Sequence, residues 1–232
     1  YKKDVINYID DISREAALIG AVNTVKNING RLYGYNTDAA GFIRSFKEET
    51  GMGLNGKKVV LLGAGGAARA IAVGLAFEEV SEISIINRTI SKAAEIAGII
   101  NNNISMIAKY YSTMSLEASD ILKQGDIIIN TTSLGMYPHI DKTPISFPFE
   151  FTDNQILYDV IYNPMRTRFL QEGEKQGLKI VNGLGMLIYQ GIQAYEIWMD
   201  VKVTDEVIKK LFNALSHLLF PGKGTVENAN VE

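Results

Sequence analysis

The stretch Val59–Ala70, VVLLGAGGAARA, sets four consecutive aliphatic residues against a glycine-rich turn and then a run rich in alanine. An unbroken aliphatic run, rather than an alternating one, marks a strand covered on both faces, as in a parallel sheet. Gly63 to Ala68 fits G-x-G-x-x-A. Gly63 permits a tight turn, Gly65 lets the protein backbone approach a pyrophosphate, and Ala68 is small enough for a helix to pack close to its strand. The helix that follows presents free N–H groups and the positive end of its dipole. Taken alone the pattern fits a structural turn as well as a cofactor turn. Its place between strand and helix favours a dinucleotide.

The next strand tests that reading. In EISIINRTISK, Glu82–Lys92, a buried strand stops at Asn87, Arg88 and Thr89, with Lys92 one turn on. An acid at this place would accept from the adenosine ribose hydroxyl and suit NAD. The chain offers Arg88 instead, whose planar fork matches phosphate oxygens. A solvated strand end would use the same residues. Beside the glycine turn, they favour the 2′-phosphate of NADP.

Outward from this pair the rhythm stays strand–helix. Strands are expected at Lys58–Leu62, Ile83–Asn87, Asp126–Asn130, Ile156–Val160 and Lys179–Val181. Helices are expected at Ala67–Phe77, Ser91–Gly98, Ser115–Leu122 and Thr167–Gln176. This is an α/β chain with a doubly wound parallel sheet of Rossmann type. Before it, Val5, Ile6, Ile9, Ile12, Ala16 and Ile19 trace one helical face over Asp4–Leu18. GAVNTV and GRLYGYN read as two strands turning at Asn27, Asn29 and Gly30. A helix over Ala39–Glu49, capped by Thr37-Asp38, completes this part. Beyond Gly183 the pattern is helical, Leu187–Met199 and Thr204–Leu219, and the polar tail from Pro221 reads as disordered. The expected organisation is a substrate domain at 1–53, a cofactor domain at 54–182, and helices at 183–220 that return to the first domain.

Composition excludes several classes. The 232 residues are 47% hydrophobic and 21% charged, with net charge −3, which gives no general attraction for nucleic acid or an anionic membrane. The chain has no cysteine and two histidines, His139 and His217, far apart, so disulfides, thiolate nucleophiles and a metal site are not expected. The longest apolar window, Val59 to Phe77, is interrupted by glycines and Arg69 and does not read as a membrane span. A cytoplasmic enzyme or binding protein is the default expectation. The chain opens at Tyr1 rather than methionine and reads as a piece of a longer polypeptide.

Two further loops carry polar groups. NTTSLGM, Asn130–Met136, follows a buried strand and could line a crevice or simply be a capped loop. The groups of AVNT and NTD could be turns and helix caps. Lys2, Tyr162 and Gln190 carry no meaning singly.

Together these pieces resemble a family. GAVNT, GYNTDAAGF, GAGGAARA, NRT, NTTSLGM, YDVIYNP and GLGML..Q stand in the order and spacing of the shikimate dehydrogenases, from Tyr1 to about Phe220. The resemblance implies NADPH-dependent reduction of 3-dehydroshikimate to shikimate, a step toward aromatic amino acids, in a monomer or homodimer. It puts Lys2 at the end of the family's V-T-x-P-x-K segment, as the catalytic lysine, and Asp38 as its partner. Substrate contacts fall on Lys2, Asn23, Asp38, Tyr162 and Gln190. Cofactor contacts fall on Gly63, Gly65, Gly66, Ala67, Asn87, Arg88, Thr89, Lys92, Thr131 and Gly183. The family's S-x-S segment, which binds the substrate carboxylate, precedes the first of these motifs and is outside the sequence, so turnover is expected to require it. Asn182 stands where the family commonly has aspartate. A dehydrogenase of quinate and shikimate using NAD would place an acid after the second strand. A silent ligand-binding module would not need Lys2 with Asp38.

Overall fold

The computed structural model describes residues 2–146 and 148–220; Tyr1 and the expected disordered tail lie outside the described residues. A 3₁₀ turn at Asp4–Tyr8 leads into β1 (Asp11–Ile12), α1 (Arg14–Ile19), β2 (Thr24–Ile28), β3 (Arg31–Tyr35) and α2 (Asp38–Thr50). Then come β4 (Lys58–Leu62), α3 (Gly66–Phe77), β5 (Glu82–Asn87), α4 (Ile90–Asn103), β6 (Ala108–Ser112), α5 (Ala118–Gln124) and β7 (Ile127–Asn130). The chain continues through β8 (Ile156–Asp159), α6 (Arg168–Lys175), β9 (Lys179–Val181), α7 (Leu184–Met199) and α8 (Asp205–Leu219).

The second group of strands forms one parallel sheet in the order β6-β5-β4-β7-β8-β9. Successive residues of β4 feed opposite faces. Val59 and Leu61 join Ile71, Leu75 and Phe42 on one side, while Val60 and Leu62 join Leu157, Phe169 and Leu170 on the other. Each such side chain, fully buried, is worth about 1.5–3 kcal/mol. That explains why these strands admit no polar alternation. Strand order reverses between β4 and β7, which opens a crevice beyond their carboxyl ends.

The first strands make a smaller sheet, β1-β3-β2. β2 and β3 pair antiparallel through Asn29 and Gly30, whose φ values of 52° and 88° are those of a type I′ hairpin. Close helix contacts join the two sheets. Ala39 of α2 packs against Gly74 of α3, and Gly41 of α2 lies against the Gln190 backbone in α7. The chain thus returns through α7 to the helix that follows its first sheet.

Three expectations differ from what is observed. Asp4–Leu18 is not one helix, because its middle pairs with β3: Asp10 Oδ2 accepts from Leu32 N at 2.7 Å and Ser13 N donates to Gly34 O at 2.9 Å. Ser13 then caps a new helix by accepting from Ala16 N. β6 was not anticipated: as an edge strand it exposes Lys109 and Tyr110 and lacks a continuous aliphatic run. Helix bounds also move, with α4 extending past Gly98 to Asn103 and α7 opening at Leu184.

Candidate active site

A small polar cluster forms where β2 and α2 begin. The Lys2 carbonyl accepts from Val22 N at 2.8 Å, which ties the lysine to the segment entering β2. Asn23 Oδ1 accepts from Thr37 N (3.0 Å), Thr24 Oγ1 (3.0 Å) and Thr37 Oγ1 (3.3 Å). With that oxygen occupied, Asn23 Nδ2 donates to Asp38 Oδ1 at 2.9 Å. The other carboxylate oxygen, Oδ2, accepts from Lys2 Nζ at 2.9 Å. The Asp38 side chain is 13% exposed and that of Lys2 57%, so a partly buried, oriented carboxylate holds a cation that still faces solvent. The N-terminal end of α2 also favours negative charge at Asp38. The cap differs from expectation: Thr37 makes no side-chain cap, and Asn36 Oδ1 accepts from Asp38 N instead, which leaves the carboxylate free for Lys2 and Asn23.

The glycine turn follows β4. Gly63 has φ 108°, and a methyl group there would sit 2.7 Å from Thr131 Oγ1, so both conformation and packing require glycine. Gly65 and Gly66 differ. Gly65 has an extended backbone, and a methyl group added at either position meets nothing within 4 Å. Both are exposed, at the N-terminus of α3, whereas Ala68 is fully buried. Nothing in the chain itself demands glycine at 65 and 66. A ligand approaching the backbone would. Ala67 is half-buried beside them.

Asn87, Arg88, Thr89 and Lys92 sit together at the end of β5 and the start of α4. Asn87 Nδ2 donates to Thr89 O at 2.8 Å and folds the connection. Arg88, Thr89 and Lys92 are exposed. Among the described residues no hydrogen bond or ion pair engages the Arg88 guanidinium.

Across the switch point, Thr131 N and Oγ1 donate to Leu62 O at 2.9 and 2.7 Å, tying the loop after β7 to the end of β4. A cleft of about 370 Å³ is lined by Thr131, Thr132, Met136, Ile161 and Tyr162 among others. Beneath it lies Asp159, fully buried, a residue within YDVIYNP that sequence reasoning passed over. Burial pushes its carboxyl from 3.8 up to about 6, opposed by hydrogen bonds from Thr167, Ile161 and Asn130. The one signal in the sequence was a carboxylate closing an otherwise aromatic and aliphatic strand.

Lys2, Asn23 and Asp38 thus form one cluster, Thr131 and Tyr162 line one cleft, and Arg88 with its neighbours forms a third group. Gln190 packs on Gly41, one turn of α2 from Asp38. Gly183 is required by packing, because a methyl group there would collide with the Val160 carbonyl. Asn182 Oδ1 accepts from Leu184 N at 2.9 Å, at the start of α7.

Known proteins share this architecture. Residues 45–142 match the family described as Shikimate / quinate 5-dehydrogenase, and residues 183–211 match the Shikimate 5'-dehydrogenase C-terminal domain. Shikimate dehydrogenase (NADP(+)) of Alkaliphilus oremlandii is 43% identical over 213 residues, covering 90% of this chain and 73% of that protein. Among solved structures, shikimate 5-dehydrogenase of Listeria monocytogenes, bound to shikimate and NAD, is 36% identical over 90% of this chain and 74% of its own, with TM-score 0.83. The ligand-free 5-ketofructose reductase of Gluconobacter sp. strain CHM43 is 40% identical over 90% of this chain and 74% of its own, with TM-score 0.78. With that identity carried across nearly all of the chain, and with the sheet order and glycine turn it accompanies, the chain belongs to the shikimate dehydrogenase family.

Proposed function

We propose that the protein interconverts shikimate and 3-dehydroshikimate with NADP(H), using Lys2 as proton donor and acceptor and Asp38 to orient it. The observation that carries this reading is the Asn23–Asp38–Lys2 chain of hydrogen bonds, which presents an exposed ammonium from a fixed carboxylate. The residues fit the cofactor. A diphosphate suits the open backbone at Gly65 and Gly66, where a side chain would fill the approach, and a 2′-phosphate suits Arg88 with Asn87, Thr89 and Lys92. When bound, NADP(H) supplies or accepts the hydride.

The chain's own residues do the rest. Reduction leaves negative charge on the former carbonyl oxygen, which needs a proton and electrostatic support. Lys2 Nζ donates that proton and takes it back in the oxidative direction, while Asp38 keeps the ammonium aimed. Asp38 is assigned the orientation of that ammonium. Asn23, Tyr162 and Gln190 are assigned to the substrate's hydroxyl and carboxylate groups, and Thr131 and Gly183 to the nicotinamide end. A cytoplasmic location and a monomeric or homodimeric state belong to the same proposal; no helix among the described residues is long and apolar enough to cross a membrane.

Lys2→Ala in the full-length protein tests the assignment. It should lower kcat roughly 10²- to 10⁴-fold, the usual worth of general acid catalysis, and leave NADP⁺ affinity unchanged. Wild-type turnover by that variant would remove Lys2 from the role.

A further inference from the structure

We infer that Asp159 is a positioning residue for the reaction: one buried carboxylate that fixes both loops lining the cleft beside the switch point. The inference rests on the cofactor and substrate reading above.

The geometry is specific. Asp159 ends β8 in register with Asn130, the last residue of β7. Its carboxylate accepts from three separate segments. Asn130 Nδ2 reaches both oxygens at 3.1 Å, Ile161 N donates to Oδ1 at 3.0 Å, and Thr167 Oγ1 donates to Oδ2 at 2.6 Å. Asn130 passes the constraint onward: its Oδ1 accepts from Thr132 N at 3.0 Å and Thr132 Oγ1 at 2.7 Å, and its Nδ2 also reaches Leu134 O at 3.2 Å. Thr167 closes the ring from the far side. It caps α6 by accepting from Leu170 N, and a methyl group on Gly135 would sit 3.1 Å from its Cβ. The loop at 131–136 is therefore held at both ends by groups that converge on Asp159, and Ile161 N fixes the residue before Tyr162.

An apolar residue could pack here only by leaving the buried Asn130 and Thr167 donors unpaired, which costs more than the hydrogen bonds return. The usual use of such a fully satisfied polar network is to enforce one arrangement. What it arranges is the lining of the cleft, to which Thr131 and Tyr162 both belong. Three donors converge on the carboxylate, as its ionised form requires, and burial raises it only to about 6.

The test compares Asp159→Asn, Thr167→Val and Thr167→Ser with the parent in the full-length protein. Asp159→Asn turns one acceptor into a donor facing the Thr167 hydroxyl. It should lower kcat roughly 10- to 100-fold per folded molecule, the range expected when reacting groups are misplaced by about an ångström. NADP⁺ affinity should fall by less than kcat does, because the Arg88 group lies three strands away in the sheet and only the Thr131 loop links Asp159 to the cofactor. Thr167→Val should move kcat in the same direction and Thr167→Ser should restore it, which keeps the test decisive if the aspartate variant does not fold. Amide hydrogen exchange gives a second readout. Residues 131–136 and 160–163 should exchange faster in Asp159→Asn and Thr167→Val, and not in Thr167→Ser, with β4 and β5 unchanged. Parent-like kcat and exchange in Asp159→Asn or Thr167→Val would overturn the inference, as would a fall in activity that only tracks the folded fraction. If the parent does not oxidise shikimate, the functional reading fails, and hydrogen exchange alone decides whether Asp159 holds the two loops.

Discussion

Arg88 projects from the end of β5 as an exposed guanidinium, while the carboxylates nearest in sequence are engaged elsewhere, Glu82 by Lys109 and Glu95 by Arg69. If it holds the 2′-phosphate, its loss removes a charge-assisted hydrogen bond worth about 1.5–3 kcal/mol. Arg88→Ala should therefore weaken NADP⁺ binding roughly 10- to 100-fold and leave NAD⁺ binding nearly unchanged. Steady-state kinetics with both cofactors checks this; an unaltered ratio of kcat/KM would reduce Arg88 to a solvated strand end. Arg88 and the glycines of the turn were legible because their residue types carry their chemistry at a fixed spacing. Asp159 was not, since it works mostly through partners brought close only by the fold. The donors to Asp159 come from Asn130, Ile161 and Thr167.

The junction of α2 and α7 sets where Gln190 stands relative to Asp38. A methyl group at Gly41 would lie 2.8 Å from the Gln190 backbone nitrogen and 3.0 Å from its Cα, so backbone rather than a flexible side chain must yield. Gly41→Ala should destabilise the fold by about 1–3 kcal/mol, the usual cost of overpacking, and raise KM for shikimate. Denaturation and kinetics check the two effects, and a neutral outcome in both would show that α7 slides freely on α2. At the same junction Ser45 Oγ donates to Glu49 Oε1 at 2.6 Å and lies 2.8 Å from the buried Tyr158 hydroxyl.

Burial pushes the Glu49 carboxyl from 4.5 up to about 7, against the downward pull of Ser45 and Lys179. Because the folded value lies above the unfolded one, the native state holds the extra proton in that window. The stability this group contributes is complete below 4.5 and lost as pH rises through about 7. Glu49→Gln keeps an acceptor for Ser45 and removes the titration. Relative to the variant, the parent should lose at most about 3 kcal/mol across the window, read as a widening gap in Tm. A gap independent of pH would refute it; Asp159, shifted in the same direction, is common to both proteins and cancels. Element boundaries near here were harder to read than element types. α7 opens at Leu184 because Asn182 accepts from its first N–H, and the Asp4–Leu18 segment breaks because β3 recruits its middle into a sheet.

At the scale of the molecule, the aliphatic runs of β4, β5, β7 and β8 determine a parallel sheet, and the glycine turn lies beside the point where strand order reverses. That much is written in periodicity. The edge strand β6 escaped it, because an edge is covered on fewer sides and only Ala108 of this strand is buried. So did the closeness of α2, α3 and α7, which depends on Gly41, Gly74 and Gly185 meeting particular partners. In the proposed function the glycine-turn sheet and the Asn23–Asp38–Lys2 cluster act together on shikimate with NADP⁺. The most direct measurement is reduced-cofactor formation (NADPH or NADH) by the full-length protein, with shikimate, quinate or the alcohol corresponding to 5-ketofructose as substrate, and NADP⁺ or NAD⁺ as acceptor. The expected result is the highest kcat/KM for shikimate with NADP⁺. Turnover absent with shikimate, or greater with another substrate or with NAD⁺, would contradict it.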